Sequence, residues 1–130
     1  MEPVEWLRDV TEVGPFELRA NTRFRPHPSH PVSVQIMGPR SIQVLDARDI
    51  ALKGVGVVLP RGFEGWLESP RVELVITLPG QRPFLARGIV RHHTERHDTW
   101  LLGVEFVELP ETRSEQILRY LESGFASRIG

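Results

Sequence analysis

Two short stretches carry side chains equipped for chemistry. Arg19-Ala-Asn-Thr-Arg23 sets two guanidinium groups four residues apart, and Asp49-Ile-Ala51-Leu-Lys-Gly54-Val-Gly56 follows a carboxylate with a small residue and two glycines. A guanidinium fork grips two phosphate oxygens at once, and its flat face stacks on a base. An ionised carboxylate only accepts hydrogen bonds, which suits the N1–H and N2–H₂ donors of a guanine edge. Glycine lets backbone come close to a ligand or take positive φ. Plainer readings stand beside this one: surface arginines, a turn cap at Asp49, and a β-bulge at Gly54 and Gly56.

The charge distribution narrows the ligand class. The chain has 130 residues, a net charge of −1 and no cysteine. A near-neutral protein does not coat nucleic acid or an anionic membrane by bulk charge. Between Leu18 and Leu45, however, there is no Asp or Glu, while Arg19, Arg23, Arg25, Arg40, His27 and His30 all lie there. A basic patch in a neutral protein fits a small anionic ligand, with no DNA or RNA polymer as partner. Without cysteine there is neither a disulfide frame nor a thiolate metal site. The opening Met-Glu-Pro-Val-Glu-Trp lacks the basic start and apolar run of a secretory signal, and no apolar stretch approaches the roughly 18 residues of a membrane span. The expectation is a cytoplasmic protein with no membrane insertion.

The elements that must position these residues form a single domain with an N-terminal extension. Residues 1–18 form the extension, with a short helix expected from Pro3 to about Val13 and an apolar face of Trp6, Leu7 and Val10. Phe16 to Pro31 reads as irregular because Pro26, Pro28 and Pro31 exclude helix, so an anionic ligand would order it. Alternating apolar residues then mark six strands: Val32 to Met37, Ile42 to Ile50, Val55 to Leu59, Val72 to Leu78, Phe84 to His92 and Thr99 to Val107. A Gly- and aromatic-bearing loop runs from Pro60 to Pro70. Six short antiparallel strands with tight connections imply a closed barrel, since closure removes exposed edges. After Pro110, Thr112-Arg-Ser-Glu115 has the spacing of a capping box, and Ile117, Leu121 and Phe125 recur every four residues with Leu118 beside them, so a helix is expected over 111–127.

These residues together resemble the PilZ domain, whose pattern is Arg-x-x-x-Arg in an N-terminal segment followed by Asp/Asn-x-Ser-x-x-Gly on the barrel. Arg19 and Arg23 match the first motif, Asp49 and Gly54 the second, and Ala51 stands where the family usually has serine. The run from Trp100 to Leu109 is similar to the family's closing strand. The resemblance covers residues 19–127, divided as an arginine-bearing loop (19–31), a barrel (32–109) and the C-terminal helix (111–127). It implies an all-β fold with an added helix, a six-stranded antiparallel PilZ-like β-barrel. It also implies cyclic di-GMP as the ligand, held by Arg19, Arg23, Asp49, Ala51 and Gly54. The corresponding role is a receptor or adaptor that passes a second-messenger signal to a protein partner in bacterial motility or surface behaviour.

Two rivals come from other classes. One is an adaptor of the same fold that works through protein contacts without nucleotide, a reading that Ala51 and the N-terminal extension favour. The other is a metal protein or enzyme built on His92, His93 and His97 with Glu95 and Asp98. Adjacent strand residues point to opposite faces, so a shared metal would need a bent hairpin. No nucleophile with a positioned histidine and acid, and no phosphate loop, can be argued from the chain, so neither catalysis nor a cofactor is expected.

Overall fold

Alternation of apolar and polar residues, which buries one face of a strand and wets the other, recurs through most of the chain and builds a curled antiparallel sheet. The computed structural model describes residues 21–38, 41–60 and 69–129. Arg19, the helix expected over residues 3–13, Arg40 and most of the loop from Pro60 to Pro70 lie outside them. Among the described residues there are nine strands: β1 (Phe24–Pro26), β2 (Ser33–Met37), β3 (Ile42–Asp46), β4 (Asp49–Ala51), β5 (Gly54–Pro60), β6 (Arg71–Thr77), β7 (Phe84–Arg96), β8 (Thr99–Phe106) and β9 (Ala126–Arg128). One helix, α1 (Glu111–Glu122), lies between β8 and β9. The strands hydrogen-bond in the order β3-β2-β6-β7-β8-β5-β4-β1-β9. The sheet curls around Val34, Ile36, Leu59, Leu74 and Ile76, all fully buried, and α1 covers the core with Ile117, Tyr120 and Leu121. No helix among the described residues is long and apolar enough to cross a membrane.

The expected class holds, with more strands than the six anticipated, but the sheet is curled rather than closed into a barrel, since among the described residues β3 and β9 end the hydrogen-bonded order without pairing to each other. The stretch from Ile42 to Ile50 divides into β3 and β4 because the chain changes partners there: β3 pairs with β2 and β4 with β5. At the break, the Ala47 N–H donates to the Val32 carbonyl and the Arg48 N–H to that of Gly56, at 2.8 Å each. The other additions, β1 and β9, pair with each other.

That pairing explains why α1 is shorter than the sequence periodicity suggests. The helix stops at Glu122, where the Ser123 hydroxyl donates to the Tyr120 carbonyl at 2.6 Å. Gly124 then takes φ +88°, a left-handed value that glycine adopts freely, and turns the chain back along the sheet, where β9 pairs with β1. At the other end Pro110 is the N-cap, and its carbonyl accepts from the N–H groups of Arg113 and Ser114. Thr112 is therefore already inside the first turn, so the expected capping box does not form.

The segment expected to be irregular is also more structured than its prolines imply. β1 lies between β4 and β9. The His27 N–H donates to the Phe125 carbonyl at 3.0 Å, and the His30 ring stacks on Phe125 with centroids 3.8 Å apart. The Tyr120 hydroxyl donates to the His30 carbonyl at 2.9 Å. These contacts use the two histidines of the basic patch to fasten residues 24–30 to the end of α1.

Candidate functional site

Arg23 sits one residue before β1, and the backbone fixes it there: the Ile129 N–H donates to the Arg23 carbonyl at 2.9 Å. Its side chain reaches β4, where Nη1 donates to Asp49 Oδ1 at 3.1 Å. The pair is asymmetric, with the arginine side chain 51% exposed and that of the aspartate 7%. A carboxylate so far from water requires a cation or hydrogen-bond donors, and Arg23 supplies both. The two motifs, separated by 26 positions in sequence, thus meet at one ion pair.

The glycines around this pair do distinct things. Asp49 is paired across the ladder with Gly56, and Ala51 with Gly54. A Cβ on Gly56 would lie 2.7–2.9 Å from the carboxylate atoms of Asp49, so the absent side chain is the space that the carboxylate occupies. A Cβ on Gly54 would run into the Val104 carbonyl oxygen, so its absence lets β5 pack directly on β8. Ala51 is 8% exposed and faces the same side as Asp49. The bulge considered for Gly54 and Gly56 is absent, since β4, β5 and β8 pair in unbroken register through both residues.

A groove of about 230 Å³ opens beside the ion pair, lined by Arg23, Asp49, Ala51 and Gly54 among others. A smaller hollow of about 130 Å³ adjoins it across Asp49 and Gly56. Four of the five sequence-derived site residues are thus brought together, and Arg19 lies outside the described residues. The groove also contains side chains that sequence reasoning did not assign to it: Asn21, Lys53, Arg91, His92 and Glu105. Lys53, the only lysine of the chain, stands inside the second motif and was legible as a candidate. Arg91 and His92 were not, because they arrive through an irregularity in the β7–β8 ladder, where Val90 pairs with Val104 and His92 with Gly103. The extra residue, Arg91, donates through Nε to Glu105 Oε1 at 2.6 Å.

The histidine-rich hairpin does not gather its imidazoles. His92 lines the groove, His93 meets the Trp100 ring edge-on with centroids 5.9 Å apart, and His97 occupies the turn at φ 50°. Among the described residues no group of three or more His, Cys, Asp or Glu is placed to hold a metal ion. What the groove offers is a cationic fork, a buried acceptor and side-chain-free backbone on one sheet face, a set suited to binding an anion that also carries hydrogen-bond donors.

The profile of the PilZ domain matches residues 17–123. No curated protein matches the chain in sequence. Among solved structures, the fold is similar to the Bacillus subtilis inhibitor of motility MotI/DgrA, with TM-score 0.66 and 20% identity over 81% of this chain and 50% of that one. It is also similar to the PilZ domain of YcgR from Escherichia coli with c-di-GMP, with TM-score 0.64 and 19% identity over 81% of this chain and 90% of that one. The K. pneumonia MrkH–c-di-GMP complex matches with TM-score 0.64 and 14% identity, over 81% of this chain and 52% of that one. The chain thus spans about half the length of the MotI and MrkH chains, and at these identities the likeness is one of fold.

Proposed function

Because the chain belongs to the PilZ domain family, we propose that it is a receptor for cyclic di-GMP and transmits occupancy of the groove to a protein partner. The observation that carries this reading is the Arg23–Asp49 pair beside a groove with glycine backbone in its wall. Binding exchanges that pair for two better-matched ones. Arg23 turns to a ligand phosphate, and Asp49 is released to accept from the N1–H and N2–H₂ of a guanine. Each contact to a charged group is worth about 1.5–3 kcal/mol net. Three or four of them, less the lost ion pair and the cost of ordering, leave binding near micromolar, about −8 kcal/mol. Arg19 completes the arginine clamp, Gly54 keeps the strand open to the ligand, and Ala51 contributes a small side chain without a hydroxyl.

Residues 24–30 are docked on β9 and α1, so the response falls on the segment that precedes Arg23. Ligand draws that segment against the sheet and thereby changes the surface shown to a partner. The setting proposed is bacterial motility or related surface behaviour, which is supported by MotI being by name an inhibitor of motility, with the protein acting in the cytoplasm. Hydrogen exchange tests the coupling: added protection in residues 16–22 at saturating ligand is expected, and its absence would defeat this mechanism.

Calorimetric titration of cyclic di-GMP into the wild-type protein, with Arg23→Ala beside it, tests the receptor reading. Micromolar or tighter binding that the substitution weakens at least tenfold is expected. Folded wild-type protein that takes up no ligand would instead indicate the nucleotide-independent adaptor, as would a substitution without effect on partner capture.

A further inference from the structure

Four residues form one lateral row across the sheet: Asp49 on β4 pairs with Gly56 on β5, Gly56 with Gly103 on β8, and Gly103 with His92 on β7. Residues in register on neighbouring strands share a face, and strands lie about 4.8 Å apart. The two central positions have no side chains, so the row is a trough with Asp49 at one end and His92 at the other. Both end residues lean inward, the Asp49 carboxylate over Gly56 and the His92 ring over Gly103, where its Cδ2 is 3.5 Å from the position of a glycine Cβ. The irregularity at Val90/His92 delivers this ring, because it resets which residues of β7 face the trough.

We infer that His92 is a base-stacking residue of this groove, standing opposite Asp49 across the glycine trough; the inference rests on the proposed function. Three observations support it. His92 is the one ring among the described residues that line the groove and its adjoining hollow. A nucleobase has a π face as well as an edge, and proteins that hold unpaired bases use aromatic side chains or arginine planes for that face. Neighbouring Arg91 is engaged by Glu105, whereas His92 is exposed to solvent. A purine seated between the two end residues would present its donor edge to Asp49 and its face to the imidazole.

Calorimetric titration of cyclic di-GMP into wild type, His92→Ala and His92→Phe, with thermal unfolding of each, tests this assignment. His92→Ala is expected to weaken binding about five- to tenfold, and His92→Phe to restore it to within about twofold, with all three proteins melting alike. Ring-proton resonances of His92 are expected to move upfield on saturation. Wild-type binding that His92→Ala leaves unchanged would overturn the assignment and spare the receptor. Equal losses in both variants with lowered melting temperatures would reduce His92 to a structural residue, also overturning it. Wild-type protein that does not bind would overturn both readings together.

Discussion

Strand β6 and the β4–β5 pair belong to one sheet yet are buried by different rules. In β6, Val72, Leu74 and Ile76 are buried while the residues between them are exposed or half-exposed. In β4 all three residues are buried, and in β5 Val55, Gly56 and Val57 are buried in succession. The first strand has one dry face and one wet one. The second pair has the core on one side, through Ile50, Val55 and Val57, and the Arg23–Asp49 pair with its groove on the other. Alternation thus reports stability in β6, whereas its loss in β4–β5 marks the place where a second, polar face has been enclosed.

Substitutions can separate those two rules. The largest effect is expected in the one-faced half: Leu74→Ala should destabilise by about 2–5 kcal/mol in urea unfolding, the cost of a cavity at a fully buried site. The folded fraction should bind cyclic di-GMP as wild type does; a matching loss of affinity would mean that core and groove are not independent.

Gly54→Ala sharpens the contrast from the other side. Its Cβ would collide with the Val104 carbonyl, a backbone atom that cannot rotate away, so β5 must separate from β8. A loss of about 1–3 kcal/mol is expected, together with weaker ligand binding. An exposed position of β6 such as Glu73 should tolerate replacement within about 0.5 kcal/mol.

Tyr120→Phe tests the fastening of β1. Removing the hydroxyl leaves the His30 carbonyl without its donor, at a cost of about 0.5–1.5 kcal/mol. Burial also pushes the Tyr120 phenol up from its ordinary 10.0 to about 12. The fold therefore holds the phenolic proton more tightly than the unfolded chain does. The resulting stability is fully present below about pH 10 and is lost as pH rises toward 12. Denaturant midpoints of wild type should fall over that window, and Tyr120→Phe should lack this component of the fall.

The smallest effect is a gain. Ala51→Ser places a hydroxyl on the groove side of β4 and should tighten cyclic di-GMP binding about 2- to 13-fold, the equivalent of about 0.5–1.5 kcal/mol for one ordinary hydrogen bond. Calorimetry showing no change would mean that the serine position does not face the ligand here.

Much of this architecture is legible in the chain itself. The spacing of Val32, Val34 and Ile36, or of Val72, Leu74 and Ile76, marks strands because alternation is written between neighbours in sequence. The spacing and order of Arg23, Asp49, Ala51 and Gly54 likewise mark a candidate site, and these four residues do line one groove. Other features are not local. Tyr120 escaped a reading based on the Ile117, Leu121 and Phe125 stripe, since its role depends on His30, 90 positions away. The strand character of residues 24–26 depends on β9, which exists only because Gly124 reverses the chain after α1.

Consecutive residues carry the strand pattern, the family motifs and the chemistry available to them: cationic forks, one carboxylate acceptor and glycines. Tertiary structure alone decided that Asp49 is buried under Arg23, that Gly56 makes room for its carboxylate, and that Arg91 and His92 enter the groove. The reason is directional. Side-chain alternation runs along a strand and is recorded in consecutive residues, but the row Asp49, Gly56, Gly103 and His92 runs across strands, where register and one ladder irregularity determine which residues become neighbours.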